Sequence, residues 1–266
     1  SLLGTFRENI EKARALGGQG VQIYAVDGEM APWNLTPALI AEKKSILAAN
    51  GLEVSALCGD LGGHGFQLAE ENKIKIEKSK RIVDLALDLE TNIVTTHIGV
   101  VPTDPGHERY KIMQEACFAL ASYADSVGAH FAVETGPETS LVLKGFLDSL
   151  GSSGVAVNLD PANLCMVTGD DPVKAVYNLK DYIVHTHAKD GNLLYRAAPE
   201  YIYGVLHPIP AEIADKKFFE EVPLGTGSVD FPRYLAALED IGFRGFLTIE
   251  REVGENPQKD IKTAYD

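Results

Sequence analysis

The feature that most constrains the fold is the alternation of short β-branched runs with helical segments. The runs are mostly apolar and rich in Val, Ile and Thr. This composition is typical of parallel strands that are buried on both faces. We predict seven strands, at residues 21–24, 52–57, 93–96, 131–133, 155–157, 183–184 and 246–249.

The segments between the runs carry helix signals. Thr5 and Glu8 have the spacing of a capping box, and Thr36-Pro37 is a typical helix start. Strand and helix in repeated alternation predict right-handed crossovers and a (β/α)₈ TIM barrel, with an open doubly wound sheet as the alternative. Seven strands are one short of eight. We therefore expect the first strand to be missing from the chain, which starts on a helix signal.

The chain has the size of one barrel. Its 266 residues are close to the ~250 that are usual for this fold. Since no linker or break in composition divides it, we expect a single domain over residues 1–266. The longest interval between strands predicts a loop insertion at about 191–224, and long loops after parallel strands commonly act as lids or binding loops.

Charge and composition exclude several partners. The chain carries 38 acidic and 24 basic residues, a net charge of −14, so we expect no nucleic-acid partner. No apolar run of about 18 residues is present, so we expect no membrane span. The three cysteines lack CxxC spacing and no signal peptide is evident, which favours reduced thiols and a cytoplasmic protein.

Potential metal ligands stand where four of the strands end. These residues are Glu134, Asp160, His187 and Glu250. In a parallel barrel the carboxyl ends of the strands face one mouth, so the four side chains should converge. Clustered carboxylates repel one another, and a divalent cation relieves that repulsion. This oxygen-rich set favours Mn²⁺ or Mg²⁺, with Co²⁺ or Zn²⁺ also possible.

Each of these residues also has a purely structural interpretation. Asp160 suits a turn or helix cap, and Glu134 or Glu250 could pair with a lysine. The metal hypothesis therefore depends on the recurrence of such residues at four successive strand ends.

Other residues near the predicted mouth are candidates for substrate contact or packing. His97 follows a strand, His64 lies in a glycine-rich loop, and Trp33 follows the first predicted strand. For each of them, packing or surface exposure is the alternative to a substrate contact. His185 precedes His187 by two residues, which places both on one side of the strand. We expect His185 to lie one layer deeper and to support the ligands.

Phosphate recognition is weakly indicated. Gly225-Thr226-Gly227 is either a phosphate loop or a turn that leads to the Asp230 helix cap. Lys189 and Arg196 are the nearest cationic candidates, and neither forms a recognisable phosphate site.

Four segments resemble the xylose isomerase-like TIM-barrel superfamily, in its sugar phosphate isomerase/epimerase branch. They are NLDPANL at 158–164, HTHAKD at 185–190, PLGTGSVDF at 223–231 and LTIE at 247–250. The resemblance implies one divalent metal ion, held by the four strand-end residues named above. It also implies that the family's first strand precedes residue 1.

Two departures from the family pattern concern the substrate. Asn163 occupies the position of a substrate-binding histidine in ketose 3-epimerases, and Gln22 replaces a glutamate that is often found there. The three-zinc DNA-repair branch needs additional His and Asp ligands. Asn163 interrupts that set, and the net charge of −14 also argues against DNA.

A site of this kind would transfer a proton next to a carbonyl group of a sugar or sugar phosphate. The metal would stabilise the enediolate, and Glu134 and Glu250 would act as base and acid. Asn163 and Lys189 are candidates for substrate contacts, and Asp190 is a candidate to orient His187 or Lys189.

Three functional interpretations remain open. An isomerase or epimerase comes first, followed by a lyase that dehydrates a keto-polyol, as in inosose dehydratase relatives. The third is a metal-stabilised binding subunit without chemistry of its own. In each case the expected partner is a small sugar or polyol, and a homo-oligomer is compatible with the sequence.

Overall fold

The β-sheet has the strand order of a TIM barrel. The computed structural model describes residues 2, 4–205 and 208–265. Within them, a seven-stranded parallel sheet has the order β1-β2-β3-β4-β5-β6-β9 and curves into a nearly closed barrel. The strands in chain order are β1 (Gly20–Tyr24), β2 (Glu53–Cys58), β3 (Ile93–Thr96), β4 (His130–Glu134), β5 (Val155–Leu159), β6 (Ile183–Ala188), β7 (Asp190–Leu193), β8 (Phe219–Val222) and β9 (Leu247–Ile249).

All seven predicted strands are present, and the prediction of a TIM barrel is confirmed. The largest difference is in β6, which continues past the predicted run to Ala188. It does so through His185 and His187, two polar side chains that are buried in the barrel. A strand prediction that follows only apolar residues therefore ends β6 too early.

The edge strands of the sheet, β1 and β9, come close to each other. Gly20 at the start of β1 has no side chain, and a Cβ atom there would collide with the ring of Phe246, directly before β9. Inside the barrel, Ser55 Oγ on β2 lies 3.4 Å from Thr248 Oγ1 on β9. These contacts place β9 beside β1 and β2, so the barrel is nearly closed on this side.

Helices cover the outside of the sheet. The capping box at Thr5 is present, and Gly128 ends α4 in the left-handed conformation with φ 72°. Large side chains such as Phe131, Phe146 and Tyr234 are fully buried in the core. The helices are α1 (Phe6–Ala15), α2 (Pro37–Asn50), α3 (Ala69–Asp88), α4 (Glu108–Val127), α5 (Ser140–Leu150), α6 (Pro161–Asn163), α7 (Pro172–Leu179), α8 (Pro199–Ile202), α9 (Phe231–Asp240) and α10 (Pro257–Tyr265).

The predicted loop insertion at 191–224 contains regular structure. Strands β7 and β8 pair antiparallel at its two ends, and α8 lies between them. Residues 206 and 207 of this insertion lie outside the described residues. Among the helices of the described residues, none combines the length and hydropathy that crossing a membrane requires.

Candidate metal centre and active site

The structure brings the four predicted metal ligands together at the mouth of the barrel. Glu134 is the last residue of β4, and Asp160 follows β5. His187 lies near the end of β6, and Glu250 follows β9. One potential ligand atom from each residue lies within 4.8 Å of the others. Parallel strands from different parts of the chain thus deliver three oxygens and one nitrogen to one point.

The imidazole of His187 is the centre of this cluster. Its Nδ1 atom lies 3.3 Å from Asp160 Oδ2 and 3.2 Å from Glu250 Oε2. The distance from the same nitrogen to Glu134 Oε1 is 3.6 Å. Three carboxylates therefore face one nitrogen atom in a region where His187 and Asp160 are almost completely buried.

The charges in the cluster depend on one another. Burial alone lowers the pKa of His187, but the carboxylates of Glu250 and Glu134 raise it well above its usual value. Burial raises the pKa of Glu250, and this effect is outweighed by His187 and Lys189, which lower it. For Asp160 burial dominates, and its pKa is raised. In the protein without metal, protonated His187 therefore carries the positive charge that balances the carboxylates of the cluster.

The far side of the His187 ring is consistent with a metal-ligating role for this histidine. Its Nε2 atom lies 2.8 Å from Gln22 Oε1, while Gln22 Nε2 donates a hydrogen bond to Thr95 Oγ1 at 2.7 Å. Since an amide oxygen only accepts, we assign the Nε2 proton to this bond. The Nδ1 lone pair of neutral His187 then points at the carboxylates, as in a metal-ligating histidine. An oxygen-rich donor set of this kind suits a hard or borderline divalent cation.

Asn158 connects Glu134 at the mouth to the deeper His185. The sequence analysis did not predict a role for it. Its Nδ2 atom donates to Glu134 Oε2 at 3.1 Å, and its Oδ1 lies 2.8 Å from His185 Nδ1. The residue is fully buried in β5. The sequence does contain a signal for this residue, since Asn158 is an amide in an otherwise apolar strand. It lies two residues before Asp160, and residues two apart point to the same face of a strand.

His185 has the deeper position that its spacing predicts. It is completely buried, and its ring packs edge-on against that of His187 with 5.7 Å between centroids. Its Nε2 atom lies 2.9 Å from Thr248 Oγ1. Burial and the neighbouring His187 lower its pKa to about 3, so His185 is neutral at physiological pH.

Three of the predicted substrate contacts also line the cluster. His97 Nε2 lies 3.7 Å from Glu134 Oε1, and Asn163 Nδ2 donates to the same oxygen at 3.0 Å. Lys189 Nζ lies 2.9 Å from Glu250 Oε2. In this arrangement Asn163 and Lys189 each hold one of the two glutamates that are candidates for acid and base.

Trp33 packs and His64 is exposed, which are the alternatives that the sequence left open for them, and Asp190 contacts a backbone turn. Trp33 lies under the cationic groups of Lys78 and Arg81 on α3, so its ring packs against a helix. His64 is exposed in its loop. The carboxylate of Asp190 accepts hydrogen bonds from backbone N–H groups of the 225–229 turn, so its orienting role toward His187 or Lys189 stays a prediction.

Two further polar residues, outside the strand ends, lie close enough to interact with each other beside the site. Tyr203 follows α8 in the insertion, and a Cβ atom at Gly136 would meet its hydroxyl at 3.3 Å and Asn163 at 2.9 Å. Glu138, four residues after Glu134, is 6% exposed, and its Oε1 atom has no hydrogen-bond partner among the described residues. Loop residues of this kind give no periodic signal, so the sequence analysis missed both.

The chain belongs to the family of xylose isomerase-like TIM barrels. The family model matches residues 10–266. The resemblance predicted from the four sequence segments is therefore confirmed.

The chain is similar to a protein of Haemophilus influenzae that is provisionally named L-ribulose-5-phosphate 3-epimerase. The two are 25% identical, over 97% of this chain and 88% of the relative. A solved xylose isomerase domain protein from Planctomyces limnophilus superposes with a TM-score of 0.78 at 26% identity, covering 96% of this chain and 88% of that one. The Bacillus anthracis protein AsbF is assigned as a 3-DHS dehydratase of petrobactin synthesis. It superposes with a TM-score of 0.75 at 18% identity, covering 99% of this chain and 93% of that one.

Proposed function

We propose that this protein is a divalent-metal-dependent sugar isomerase or epimerase that transfers a proton next to a carbonyl group. The observation that carries the proposal is the convergence of Glu134, Asp160, His187 and Glu250 within 4.8 Å. Two glutamates in one buried cluster can serve as a base and an acid. The similarity to a protein named as a sugar phosphate epimerase supports the same class of reaction.

The four clustered residues would hold the metal ion, with Mn²⁺ or Mg²⁺ favoured by three carboxylates and one imidazole. When bound, the ion would act as a Lewis acid and polarise the substrate carbonyl. Binding requires a neutral His187 Nδ1, and Gln22 supports that state through Nε2.

The chain's own residues prepare the two glutamates for proton transfer. Asn158 and Asn163 donate to the two oxygens of Glu134 at 3.1 and 3.0 Å, which fixes the plane of its carboxylate. Lys189 holds Glu250 at 2.9 Å, and His187 together with Lys189 lowers the pKa of this carboxyl group. One glutamate would remove the proton next to the carbonyl and the other would return it. Return to the opposite face gives an epimer, and return to the neighbouring carbon gives an isomer.

A dehydratase is the second candidate, supported by the similarity to the protein assigned as a 3-DHS dehydratase. The same proton removal followed by loss of a β-hydroxyl group would release water. In that case, the acid would protonate the leaving hydroxyl instead of the carbon.

Product analysis separates these reactions. The metal-loaded protein is incubated with a panel of ketopentoses, ketohexoses and a keto-inositol, and the products are identified by NMR and mass spectrometry. An epimer or aldose of unchanged mass supports the proposal, whereas a product lighter by one water supports the dehydratase. Absence of conversion across the panel, with metal bound, would favour the binding subunit. The expected partner is a small sugar or polyol, and a cytoplasmic location stays a prediction.

A further inference from the structure

We propose that the substrate of this site is an uncharged polyol sugar and that sugar phosphates are excluded. This inference rests on the proposed function and narrows it. It also separates this chain from the Haemophilus influenzae relative, whose name specifies a 5-phosphate. Three features of the mouth support it: a filled anion-binding turn, paired cations and uncharged polar groups.

The turn that most resembles a phosphate loop is already filled by a carboxylate of the chain. Asp190 Oδ2 accepts hydrogen bonds from the backbone N–H groups of Gly225 and Gly227 at 3.0 and 2.8 Å. Its Oδ1 accepts from Val229 at 3.1 Å and from Gly191 at 2.9 Å. Successive N–H groups of this kind can bind a phosphate oxygen, but here Asp190 takes that place. The glycine motif therefore serves the fold of the turn.

The first cation of the mouth is Lys189. Its side chain is 5% exposed, and Nζ lies 2.9 Å from both Glu250 Oε2 and Glu252 Oε2. A phosphate dianion would have to displace one of these carboxylates and leave it without its partner. Burying charge without a partner is strongly unfavourable.

Two arginines that contact the insertion are paired as well, and Arg196 donates a hydrogen bond to the backbone oxygen of Thr168 at 3.0 Å. Arg109 at the start of α4 lies 3.0 Å from Glu200 of α8, and Arg251 lies 2.7 Å from Glu221. These pairs anchor the insertion to the barrel, so their positive charge is neutralised. Lys189, Arg109 and Arg251 therefore do not offer the arrangement that a phosphate dianion needs.

Tyr203 of the insertion and Glu138 of the loop after β4 are uncharged. Burial raises the pKa of Glu138 to about 8, so this carboxyl group is mostly protonated at neutral pH. Burial together with Glu138 raises the pKa of Tyr203, which keeps its phenol neutral. A phenol and a carboxylic acid both donate and accept hydrogen bonds, which matches the hydroxyl groups of a sugar. We assign Tyr203, beside Asn163, to the hydroxylated chain of the substrate.

The first test compares free sugars with their phosphates. Exchange of the substrate C–H proton in D₂O is followed by NMR for L-ribulose, D-ribulose, D-fructose and D-tagatose, each against its terminal phosphate. We expect kcat/KM for the best free sugar to exceed that for its phosphate by about 100-fold, because Lys189, Arg109 and Arg251 are already paired with carboxylates. Faster exchange of a phosphate would overturn this inference and leave the proposed function intact. Exchange of none of them would overturn both.

The second test concerns Tyr203. In Tyr203→Phe, loss of one hydrogen bond should raise KM for the free sugar by about 10-fold, with a smaller change in kcat. Tyr195→Phe, in the same insertion, is the matched control and should leave both constants unchanged. Metal affinity should be the same in both variants. An unchanged KM in Tyr203→Phe, or an equal change in both variants, would contradict the assignment of Tyr203.

Discussion

His187 Nδ1 lies 3.2 Å from Glu250 Oε2, so a proposed metal ligand and a proposed catalytic glutamate share one contact. Without a metal ion, the proton on His187 balances the negative charge of Glu250, so the pKa of His187 is raised and that of Glu250 is lowered. A metal ion at this site would replace that proton. Metal binding, protonation of His187 and the charge of Glu250 are therefore linked.

Metal binding should release a proton from His187. The pKa of His187 is raised in the folded protein without metal, so the ring is protonated at neutral pH and must lose its proton to bind an ion. We expect Mn²⁺ affinity to rise with pH, by up to about tenfold per unit for one proton. Calorimetry in two buffers of different ionisation enthalpy measures the release. Affinity that is independent of pH from 6 to 8 would contradict this account.

The same shifts predict the pH dependence of stability without metal. The raised pKa of His187 gives stabilisation that is present at low pH and is lost as pH rises through the folded value. The lowered pKa of Glu250 gives stabilisation that is present above about pH 4.5 and is lost in acid. Chemical denaturation from pH 4 to 10 should show stability falling at both ends. In His187→Asn, the loss of stability with rising pH should be absent. Superposable curves for the two proteins would contradict the assignment.

Glu250→Gln should reduce turnover and leave the fold intact. The amide cannot carry the proton, and a positioned acid or base contributes about 10²–10⁴ in rate. Glu252→Gln is the control, because Glu252 contacts the same lysine nitrogen at 2.9 Å but is mostly exposed. Circular dichroism checks the fold, and kcat is compared at saturating metal. Full activity of Glu250→Gln, or an equal loss in both variants, would refute the acid–base role.

Gln22 should control metal affinity through the His187 ring. Gln22→Leu removes the acceptor of the Nε2 proton, and loss of such a partner typically costs 10–100-fold in metal affinity. Gln22→Glu retains an acceptor oxygen and should bind metal at least as tightly as the wild type. Both affinities can be measured by competition with a fluorescent chelator. ¹⁵N NMR of the imidazole should show the Nε2-protonated tautomer in the metal-bound wild type, and the opposite tautomer would be inconsistent with this geometry.

Asp190 should contribute to stability. Asp190→Ala leaves the backbone N–H groups of the 225–229 turn without their acceptor, which should lower the free energy of unfolding by about 2–4 kcal/mol. Asp215→Ala is the control, because that side chain is 78% exposed, and its change should stay within about 0.5 kcal/mol. Urea unfolding measures both. Similar stability of the two variants would show that the turn holds without Asp190.

The sequence predicted the barrel strands and the ligand cluster because both depend on short-range patterns. Apolar runs mark strands that are buried on two faces, and a charged residue at the end of such a run stands out at once. The shared mouth then follows from the parallel topology alone, without any knowledge of side-chain contacts. For this reason Glu134 and Asp160 could be placed beside His187, although they lie on different strands.

The remainder depends on contacts between distant parts of the chain. Gln22 and His187 are 165 residues apart, and no sequence pattern around either residue predicts their hydrogen bond. The position of Tyr203 depends on how the insertion docks, and Arg109 and Glu200, which fix α8, are 91 residues apart. For Trp33 the sequence left a substrate contact and simple packing open, and only the structure shows cationic side chains of α3 over its ring.

The most direct test of the central claim is metal-dependent exchange of a substrate C–H proton with D₂O. The protein is treated with EDTA, incubated with a free ketose in D₂O, and then supplied with Mn²⁺ or Mg²⁺ while ¹H NMR follows the signal next to the carbonyl. The account predicts no exchange before addition of the metal, rapid exchange afterwards, and loss of exchange in Glu134→Gln and Glu250→Gln. Exchange that is equally fast in EDTA, or that persists in both variants, would contradict it.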